Sequence, residues 1–243
     1  MEIKSFFREF ALSILIFFPA GYRTAVLDKK RNISGKFIKV PFVNTNSDHT
    51  LEPWVLESYT KKYVPKEGDT VVDAGAFYGI FTIYASKLVG KNGRVIAFEP
   101  EPFSYKVLKK NLKLNNIENV LVVRKGLWRK NGILNFSGRG GVSSLILNYG
   151  KDFNKKIRVT TLDNALKPLR NPKINFIKMD IEGAEIEAIK GMEETIKKDK
   201  PNFAIASYHK LNNQQTKGDV EKLLRDRGYS VFSGSKHLTT YAY

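Results

Sequence analysis

The stretch TVVDAGAFYG, residues 70–79, decides the fold of this chain of 243 residues. Its first half is apolar apart from Thr70 and one acid, Asp73, and it predicts a buried strand. Gly75 and Gly79 follow and predict a tight turn that opens a helix. Further along, VIAFEP at 95–100 predicts a second strand that ends in the carboxylate of Glu99. In doubly wound α/β sheets, two such strand ends hold a nucleoside, with backbone close to the ligand at the first and an acid on the ribose at the second.

Strands and helices alternate over most of the chain that follows. The predicted strands are 70–74, 94–98, 120–124, 174–179 and 203–207, and the predicted helices are 79–89, 102–115, 184–198 and 220–227. This alternation implies a parallel sheet with right-handed crossovers. A closing hairpin, 229–232 with 238–243, would add an antiparallel strand. The fold class is therefore predicted to be α/β, a doubly wound and mostly parallel sheet.

One region interrupts this alternation. Residues 133–136 and 143–147 flank the segment SGRGGV, which predicts a hairpin inserted into the fold. A further short strand is predicted at 157–162.

The first 60 residues do not alternate and are expected to form a helical extension, 1–60, before a domain that spans 61–243. A helix is predicted at 51–63. The apolar run within 3–18 is shorter than the ~20 residues that a spanning helix needs. We expect it to pack on the catalytic domain or across a homodimer, with peripheral contact to a membrane surface and an export signal as alternatives.

The chain has a formal net charge of +17 and no cysteine. The lack of cysteine excludes disulfides, thiolate metal sites and a cysteine nucleophile. A positive field favours anionic partners: nucleic acid, acidic lipid surfaces, or phosphorylated and carboxylated substrates. A solvated basic surface is an equally good interpretation, because Lys and Arg are spread along the chain.

The turn after the first strand lacks the three-glycine spacing that a pyrophosphate requires, whereas a cofactor without phosphate needs no such approach. S-adenosyl-L-methionine fits this condition. The N–H groups near Phe77, Tyr78 and Gly79 could bind its carboxylate, and Asp73 could organise the ammonium group, directly or through water. Glu99, followed by Pro100, offers two acceptor oxygens to the two ribose hydroxyls. Gly126 and Leu127 follow the third strand, where the adenine is expected, and Leu127 or Trp128 could cover its ring.

The second cluster of polar residues is DIEGAE at 180–185. Asp180 and Glu182 leave the carboxyl end of the fourth strand, and His209 follows the fifth, so all three are expected at the same cleft. Asp180 or His209 could accept or orient a hydroxyl proton. Glu185 is assigned mainly to capping of the following helix. Asp180, Glu182 and His209 could instead hold a divalent ion, although no metal is part of the main prediction.

These motifs resemble the FkbM-type methyltransferases over about residues 70–209. The resemblance rests on VDAGAFYG at 72–79, FEP at 98–100 with Asn111 and Asn115 beyond it, TLDN at 161–164 and IKMDIEGAE at 177–185. It implies a class I methyltransferase (Rossmann-like) fold with a seven-stranded sheet, S-adenosyl-L-methionine as donor, and usually O-methylation of a sugar, polyketide or similar metabolite. Phe77 and Tyr78 depart from the family, which often has Asn and a small or aliphatic residue there.

The sequence therefore predicts a cytoplasmic O-methyltransferase whose partner is a small-molecule or glycan acceptor, anionic in view of the charge. Its hydroxyl would belong to a sugar, a glycolipid or a secondary metabolite. An RNA methyltransferase is the first alternative, since basic residues and Trp128 follow the third strand, but no separate RNA-binding module is visible. A membrane-associated scaffold that keeps the fold without catalysis is the second.

Overall fold

The computed structural model describes residues 24–26, 39–41, 53–139, 142–144, 155–211, 214–234 and 238–243. Its strands, in chain order, are β1 (Thr24–Val26), β2 (Lys39–Pro41), β3 (Thr70–Ala74), β4 (Arg94–Phe98), β5 (Val120–Val123), β6 (Gly126–Leu127), β7 (Gly132–Arg139), β8 (Val142–Ser144), β9 (Lys155–Thr160), β10 (Phe176–Met179), β11 (Asn202–Ala206), β12 (Lys210–Leu211), β13 (Gln214–Gln215), β14 (Val231–Ser233) and β15 (Thr239–Ala242). The helices are α1 (Pro53–Thr60), α2 (Ile80–Val89), α3 (Pro102–Leu114), α4 (Leu162–Leu166), α5 (Glu185–Ile189), α6 (Glu193–Asp199) and α7 (Lys217–Arg225), and a 3₁₀ turn, Lys167–Leu169, follows α4.

Seven strands form the central sheet in the order β14, β15, β11, β10, β3, β4, β5. The pairs from β11 to β5 are parallel, whereas β15 is antiparallel to both β11 and β14. The predicted α/β class and the closing hairpin are thus confirmed. β3 and β10 are neighbours near the centre of the sheet, and the strand order runs outward from them in both directions. Open α/β sheets bind ligands at the carboxyl ends of two such strands.

Both faces of the sheet are covered, since neighbouring strand residues alternate between two apolar clusters. On one face, Val71 and Val95 pack with α2 and α3. On the other face, Val72 and Ile96 pack with α4, α5, α6 and α7. The central strands are therefore continuous apolar runs, and a charged residue inside one of them needs a partner.

The inserted region is larger than the predicted hairpin. The hairpin exists, as β7 pairs antiparallel with β8, but β7 also pairs with β9, and β9 pairs with β6. The result is a four-stranded sheet in the order β6, β9, β7, β8. The rest of the predicted second hairpin strand, 145–147, lies outside the described residues.

The N-terminal extension contains a strand pair that the helical prediction did not include. β1 and β2 are antiparallel, and α1 is shorter than the helix predicted at 51–63. The apolar run within 3–18 lies outside the described residues, as does its proposed contact with a membrane or a second copy. Among the described residues, every helix is too short or too polar to cross a bilayer.

The helix predicted at 184–198 is two helices, α5 and α6, with Gly191 between them. A Cβ on Gly191 would lie 2.1 Å from the carbonyl oxygen of Trp128. The loop after β6 thus packs directly on the backbone at this junction, and only a residue without a side chain fits.

Gly191→Ala should lower the free energy of unfolding by about 1–3 kcal/mol, because backbone must move to admit the methyl group. Urea unfolding followed by circular dichroism measures this change. Gly218→Ala is the matched control: a Cβ there meets nothing within 4 Å, the residue lies in α7, and the change should be neutral or stabilise by up to about 1 kcal/mol. Equal stability of the two variants would contradict the tight contact with Trp128.

Candidate functional site

The candidate site lies at the carboxyl ends of four parallel strands. Gly75, Glu99 and Asp180 directly follow β3, β4 and β10. His209 follows β11 after two intervening residues. Because parallel strands end at the same edge of a sheet, residues more than 100 positions apart in sequence are brought together here.

The Gly75 turn is pressed against the end of β10. Gly75 has φ +79, and a Cβ on it would lie 1.9 Å from the carbonyl oxygen of Asp180. The backbone N–H groups of Gly75 and Ala76 both donate to the carbonyl oxygen of Phe98. This turn therefore joins the ends of three neighbouring strands, and glycine is required both for its backbone conformation and for the close approach.

Phe77 carries the turn on to Glu99. It has φ +50, an unusual conformation for an aromatic residue, and its ring stacks on Tyr78 with a centroid distance of 3.6 Å. Its N–H donates to Glu99 Oε2 at 2.8 Å, and the N–H of Gly79 donates to the carbonyl oxygen of Ala76. The N–H groups of Phe77 and Gly79 thus have partners within the chain, and the binding of a ligand carboxylate near Phe77, Tyr78 and Gly79 stays a prediction.

Glu99 is the acid best placed for a ligand. The side chain is buried, 6% exposed, and its two oxygens accept N–H groups from Phe77 and Glu101 at 2.8 Å each. Burial raises the pKa of Glu99 to about 7, although both N–H donors lower it. The two donors thus do not offset the burial, and each oxygen keeps a lone pair for a further donor. Pro100 follows it directly and is half-buried.

Asp73 has a different role from the predicted one. It is fully buried; Lys178 Nζ lies 3.0 Å from its Oδ1, and Thr82 Oγ1 donates to its Oδ2 at 2.5 Å. Lys178 also donates to the carbonyl oxygen of Gly75 at 2.8 Å. Asp73 therefore anchors the turn through Lys178 and does not present its carboxylate to the ammonium group of a ligand.

Gly126 and Leu127 form β6 and are both buried. The Leu127 side chain packs in the core beside Phe98 and Leu162, while Trp128 packs on the small cluster of Phe136, Ile157 and Val159. The structure gives the Leu127 side chain a packing role, and the predicted contact of either side chain with an adenine ring stays a prediction.

Asp180, Glu182 and His209 do meet. His209 Nε2 lies 3.4 Å from Glu182 Oε2 and 3.6 Å from Asp180 Oδ1. Glu185 Oε1 lies 3.1 Å from His209 Nδ1 and also accepts the N–H groups of Ile181 and Gly183. The capping role predicted for Glu185 is thus incomplete, because the same oxygen faces the imidazole.

The surroundings of His209 argue against its predicted role as general base. Burial lowers its pKa, but the neighbouring carboxylates of Glu182, Glu185 and Asp180 raise it to about 11. Without another cation the imidazole is therefore protonated at neutral pH and cannot accept a proton. Asp180 is left as the predicted base, and its carboxylate lies at the crevice.

The sequence did not identify three residues of the site, Tyr59, Tyr208 and Lys178. Tyr59 on α1 donates its hydroxyl to Asp180 Oδ2 at 2.9 Å, and Tyr208 places its hydroxyl 3.4 Å from Asp180 Oδ1. Burial, followed by the charge of Asp180, raises the pKa of both tyrosines, so both hydroxyls keep their protons. Lys178 could have been found, because a lysine in the apolar run FIKM requires an acid nearby; the tyrosines gave no such signal.

A cavity of about 60 Å³ lies beside Asp180, between the Gly75 turn and α1. Leu56 and Tyr59 form its roof, and Asp180, Phe77 and Tyr78 line it. Ligand pockets are typically about 300–1,000 Å³. This cavity is therefore too small by itself to hold a nucleoside and an acceptor.

The residues present fit S-adenosylmethionine at one end. Glu99 is a buried carboxylate with unfilled acceptor capacity, and two ribose hydroxyls would supply the donors that its burial calls for. The Gly75 turn lies directly beside this acid, because the N–H of Phe77 donates to Glu99 Oε2. A sheet of this strand order, with a glycine turn after the first central strand and an acid after its neighbour, defines a class I methyltransferase with S-adenosylmethionine as cofactor.

Comparison with known families shows which methyltransferase family the chain belongs to. The family model described as "Methyltransferase FkbM domain" matches residues 73–231, and the chain belongs to this family.

Among curated relatives, methyltransferase sdnD of Sordaria araneosa is 27% identical in an alignment of 194 residues that covers 66% of this chain and 73% of that protein. The hexuronic acid methyltransferase AglP of Haloferax volcanii is 24% identical in an alignment of 176 residues that covers 68% of this chain and 71% of that protein. Both are thus distant relatives that match about two thirds of this chain.

Solved structures agree on the fold. The crystal structure of methyltransferase FkbM from Methylobacillus flagellatus superposes with a TM-score of 0.58 at 21% identity, over 76% of this chain but only 46% of that one. This chain thus spans less than half the length of that protein. Fibrillarin of Aeropyrum pernix, solved with S-adenosyl-L-methionine, has a TM-score of 0.51 at 13% identity, over 95% of this chain and 86% of that one.

The pKa of Glu99 makes stability depend on pH. Because the folded protein raises this pKa from 4.5 to about 7, it binds the proton more tightly than the unfolded chain does. The contribution of Glu99 to the free energy of unfolding should be highest below pH 4.5 and fall by roughly 1–3 kcal/mol as the pH rises to 7. Glu99→Gln removes this dependence, at the cost of a constant offset from an altered hydrogen bond. Urea unfolding at pH 5 and pH 8 should therefore show a smaller change for the variant than for the wild type; an equal change would refute the raised pKa.

Proposed function

We propose that this protein transfers the methyl group of S-adenosylmethionine to a hydroxyl oxygen of a sugar or a similar hydroxylated metabolite. The observation that carries the proposal is the position of Asp180. Its carboxylate lines the cavity beside the Gly75 turn, under the roof that α1 forms. An acceptor hydroxyl in this cavity would have a carboxylate within reach of its proton and the cofactor site next to it.

The donor supplies an activated methyl group on a sulfonium with a neutral thioether as leaving group. The residues of this chain would do the rest. Glu99 would hold the ribose and the Gly75 turn would fix the approach of the methionine end, so that alignment provides much of the rate. Asp180 would accept or orient the acceptor proton as the new C–O bond forms and the S–C bond breaks.

Two observations support a sugar acceptor that carries negative charge. The relative from Haloferax volcanii is named as a hexuronic acid methyltransferase, and a hexuronic acid has a carboxylate. The net charge of +17 also favours an anionic acceptor. Methylation of RNA is the competing function that the same charge favours, and a scaffold without catalysis is the other.

A direct test incubates the protein and labelled S-adenosylmethionine with uronic acid glycosides, neutral glycosides and structured RNA. We expect label on the glycosides, with preference for the uronic acids. Label on RNA, with RNA binding that weakens steeply as the salt concentration rises, would show that the acceptor is RNA and not a sugar. If the protein does not bind S-adenosylmethionine at all, the remaining interpretation is a scaffold without catalysis.

Cofactor binding tests the role of Glu99. Glu99→Ala should weaken the binding of S-adenosylmethionine by about 30- to 150-fold, because loss of a charged acceptor and two unpaired hydroxyls cost about 2–3 kcal/mol. Isothermal titration calorimetry gives the dissociation constant. Glu101→Gln is the control, since this neighbouring acid is bonded to Ser104 and Lys155 and not to the crevice. Unchanged affinity of Glu99→Ala would exclude the ribose contact.

Turnover tests the role of Asp180. Asp180→Asn keeps the size of the side chain but not its ability to accept a proton, so kcat should fall by about 10²–10⁴-fold while the dissociation constant of S-adenosylmethionine stays within threefold. Tyr208→Phe serves as comparison, because it removes only a long contact to the same carboxylate. A fully active Asp180→Asn variant would remove this residue from proton transfer.

A further inference from the structure

His209 is a buried group whose hydrogen bonding is incomplete. Its side chain is 5% exposed, and among the described residues neither ring nitrogen has a partner in hydrogen-bond geometry. A buried polar atom without a partner costs free energy, so this imidazole requires something at Nε2. Two carboxylates face that nitrogen, which makes a cation the fitting occupant.

The spacing of the three groups suits a shared ion. One nitrogen or oxygen from each of Asp180, Glu182 and His209 can be chosen so that all three lie within 4.8 Å of one another. Nε2 is 3.4 Å from Glu182 Oε2 and 3.6 Å from Asp180 Oδ1. Two ligand atoms that each lie about 2.1 Å from one metal are about 3.0–3.4 Å apart at octahedral or tetrahedral angles. The observed separations are therefore close to those around a bound cation and long for direct hydrogen bonds.

The surroundings match the outer shell of a metal site. Histidine ligands usually donate their second N–H to a carboxylate, and here Glu185 Oε1 lies 3.1 Å from Nδ1. Metal-binding carboxylates are themselves hydrogen-bonded, and Tyr59 donates to Asp180 Oδ2, the oxygen other than the one that faces His209. Glu185 also accepts the N–H groups of Ile181 and Gly183, so Asp180 and Glu182 are both attached to a turn that is held in place.

We propose that Asp180, Glu182 and His209 form a binding site for one divalent metal ion at the acceptor side of the crevice. One imidazole with two carboxylates favours Mn²⁺, Fe²⁺ or Zn²⁺ over Mg²⁺ and Ca²⁺, which take oxygen ligands. Three protein ligands leave coordination positions open, as in catalytic sites. Asp180 lines the cavity, so an acceptor with two neighbouring oxygen atoms could fill those positions. The role of the ion in catalysis rests on the proposed function, whereas its binding does not.

A proton on Nε2 is the competing occupant, because an imidazolium among three carboxylates would also be compensated. Metal titration separates the two. Chelator-treated wild-type protein should bind one Mn²⁺ per chain, measured as loss of the free Mn²⁺ signal in electron paramagnetic resonance, and Zn²⁺ should compete for it. Binding of either ion should raise the thermal unfolding temperature.

Isosteric variants locate the ion. His209→Gln, Glu182→Gln and Asp180→Asn should each weaken Mn²⁺ binding at least tenfold. Glu187→Gln is the matched control on α5: it is paired with Arg129 and Lys190, away from His209, and should bind Mn²⁺ as the wild type does. Should the buried variants fail to fold, the wild type still decides the matter, because pulsed resonance of its Mn²⁺ complex should show coupling to an imidazole nitrogen.

Three results would overturn the proposal: no Mn²⁺ or Zn²⁺ bound by the folded wild type at millimolar concentration, unchanged affinity in all three variants, or a bound Mn²⁺ without nitrogen coupling. Calorimetry of S-adenosylmethionine binding to the same metal-free protein tests the proposed function separately. A protein that binds the cofactor but no metal would refute the metal site alone.

Discussion

The candidate site depends on the buried ion pair between Asp73 and Lys178. These residues are register neighbours on β3 and β10, the two central strands, with Nζ 3.0 Å from Oδ1. Removing two charges from water is costly, and the cost is offset here by further bonds to Thr82 and to the carbonyl oxygen of Gly75. The pair therefore does more than join two strands. It holds the carbonyl group at the first residue of the glycine turn, and the rest of the turn follows from that position.

From this turn the geometry spreads to both halves of the crevice. On one side, Gly75 and Ala76 donate to Phe98, and Phe77 donates to Glu99, so the cofactor half is tied to β4. On the other side, the absence of a Cβ on Gly75 lets the turn contact the carbonyl oxygen of Asp180, so the acceptor half is tied to β10. The relative position of Glu99 and Asp180 is thus set by one turn between two strands. A shift of this turn would displace Glu99 and Asp180 together.

The sequence was sufficient for the features that depend on local pattern. The bounds of β3, β4 and the α/β order follow from apolar runs and glycine punctuation, and Glu99, Asp180 and His209 follow from positions at strand ends. The features it could not supply depend on contacts between distant segments. Asp73 looks like a ligand-binding acid until Lys178 is placed beside it. The break between α5 and α6 is invisible until the loop at Trp128 packs on Gly191. The alignment of Tyr59 with Asp180 joins residues 121 positions apart, and a periodic apolar face gives no hint of it.

Glu185 illustrates why a local interpretation can be correct and still incomplete. As an acid in the first turn of a helix it has a sufficient local explanation, and it does accept two N–H groups of its own turn. Yet the oxygen that accepts them also lies 3.1 Å from His209, which arrives from β11. A carboxylate bonded to two backbone donors keeps its position, so its charge stays beside Nδ1 while Nε2 faces Asp180 and Glu182. The local capping interaction is therefore the means by which the long-range cluster acquires its geometry.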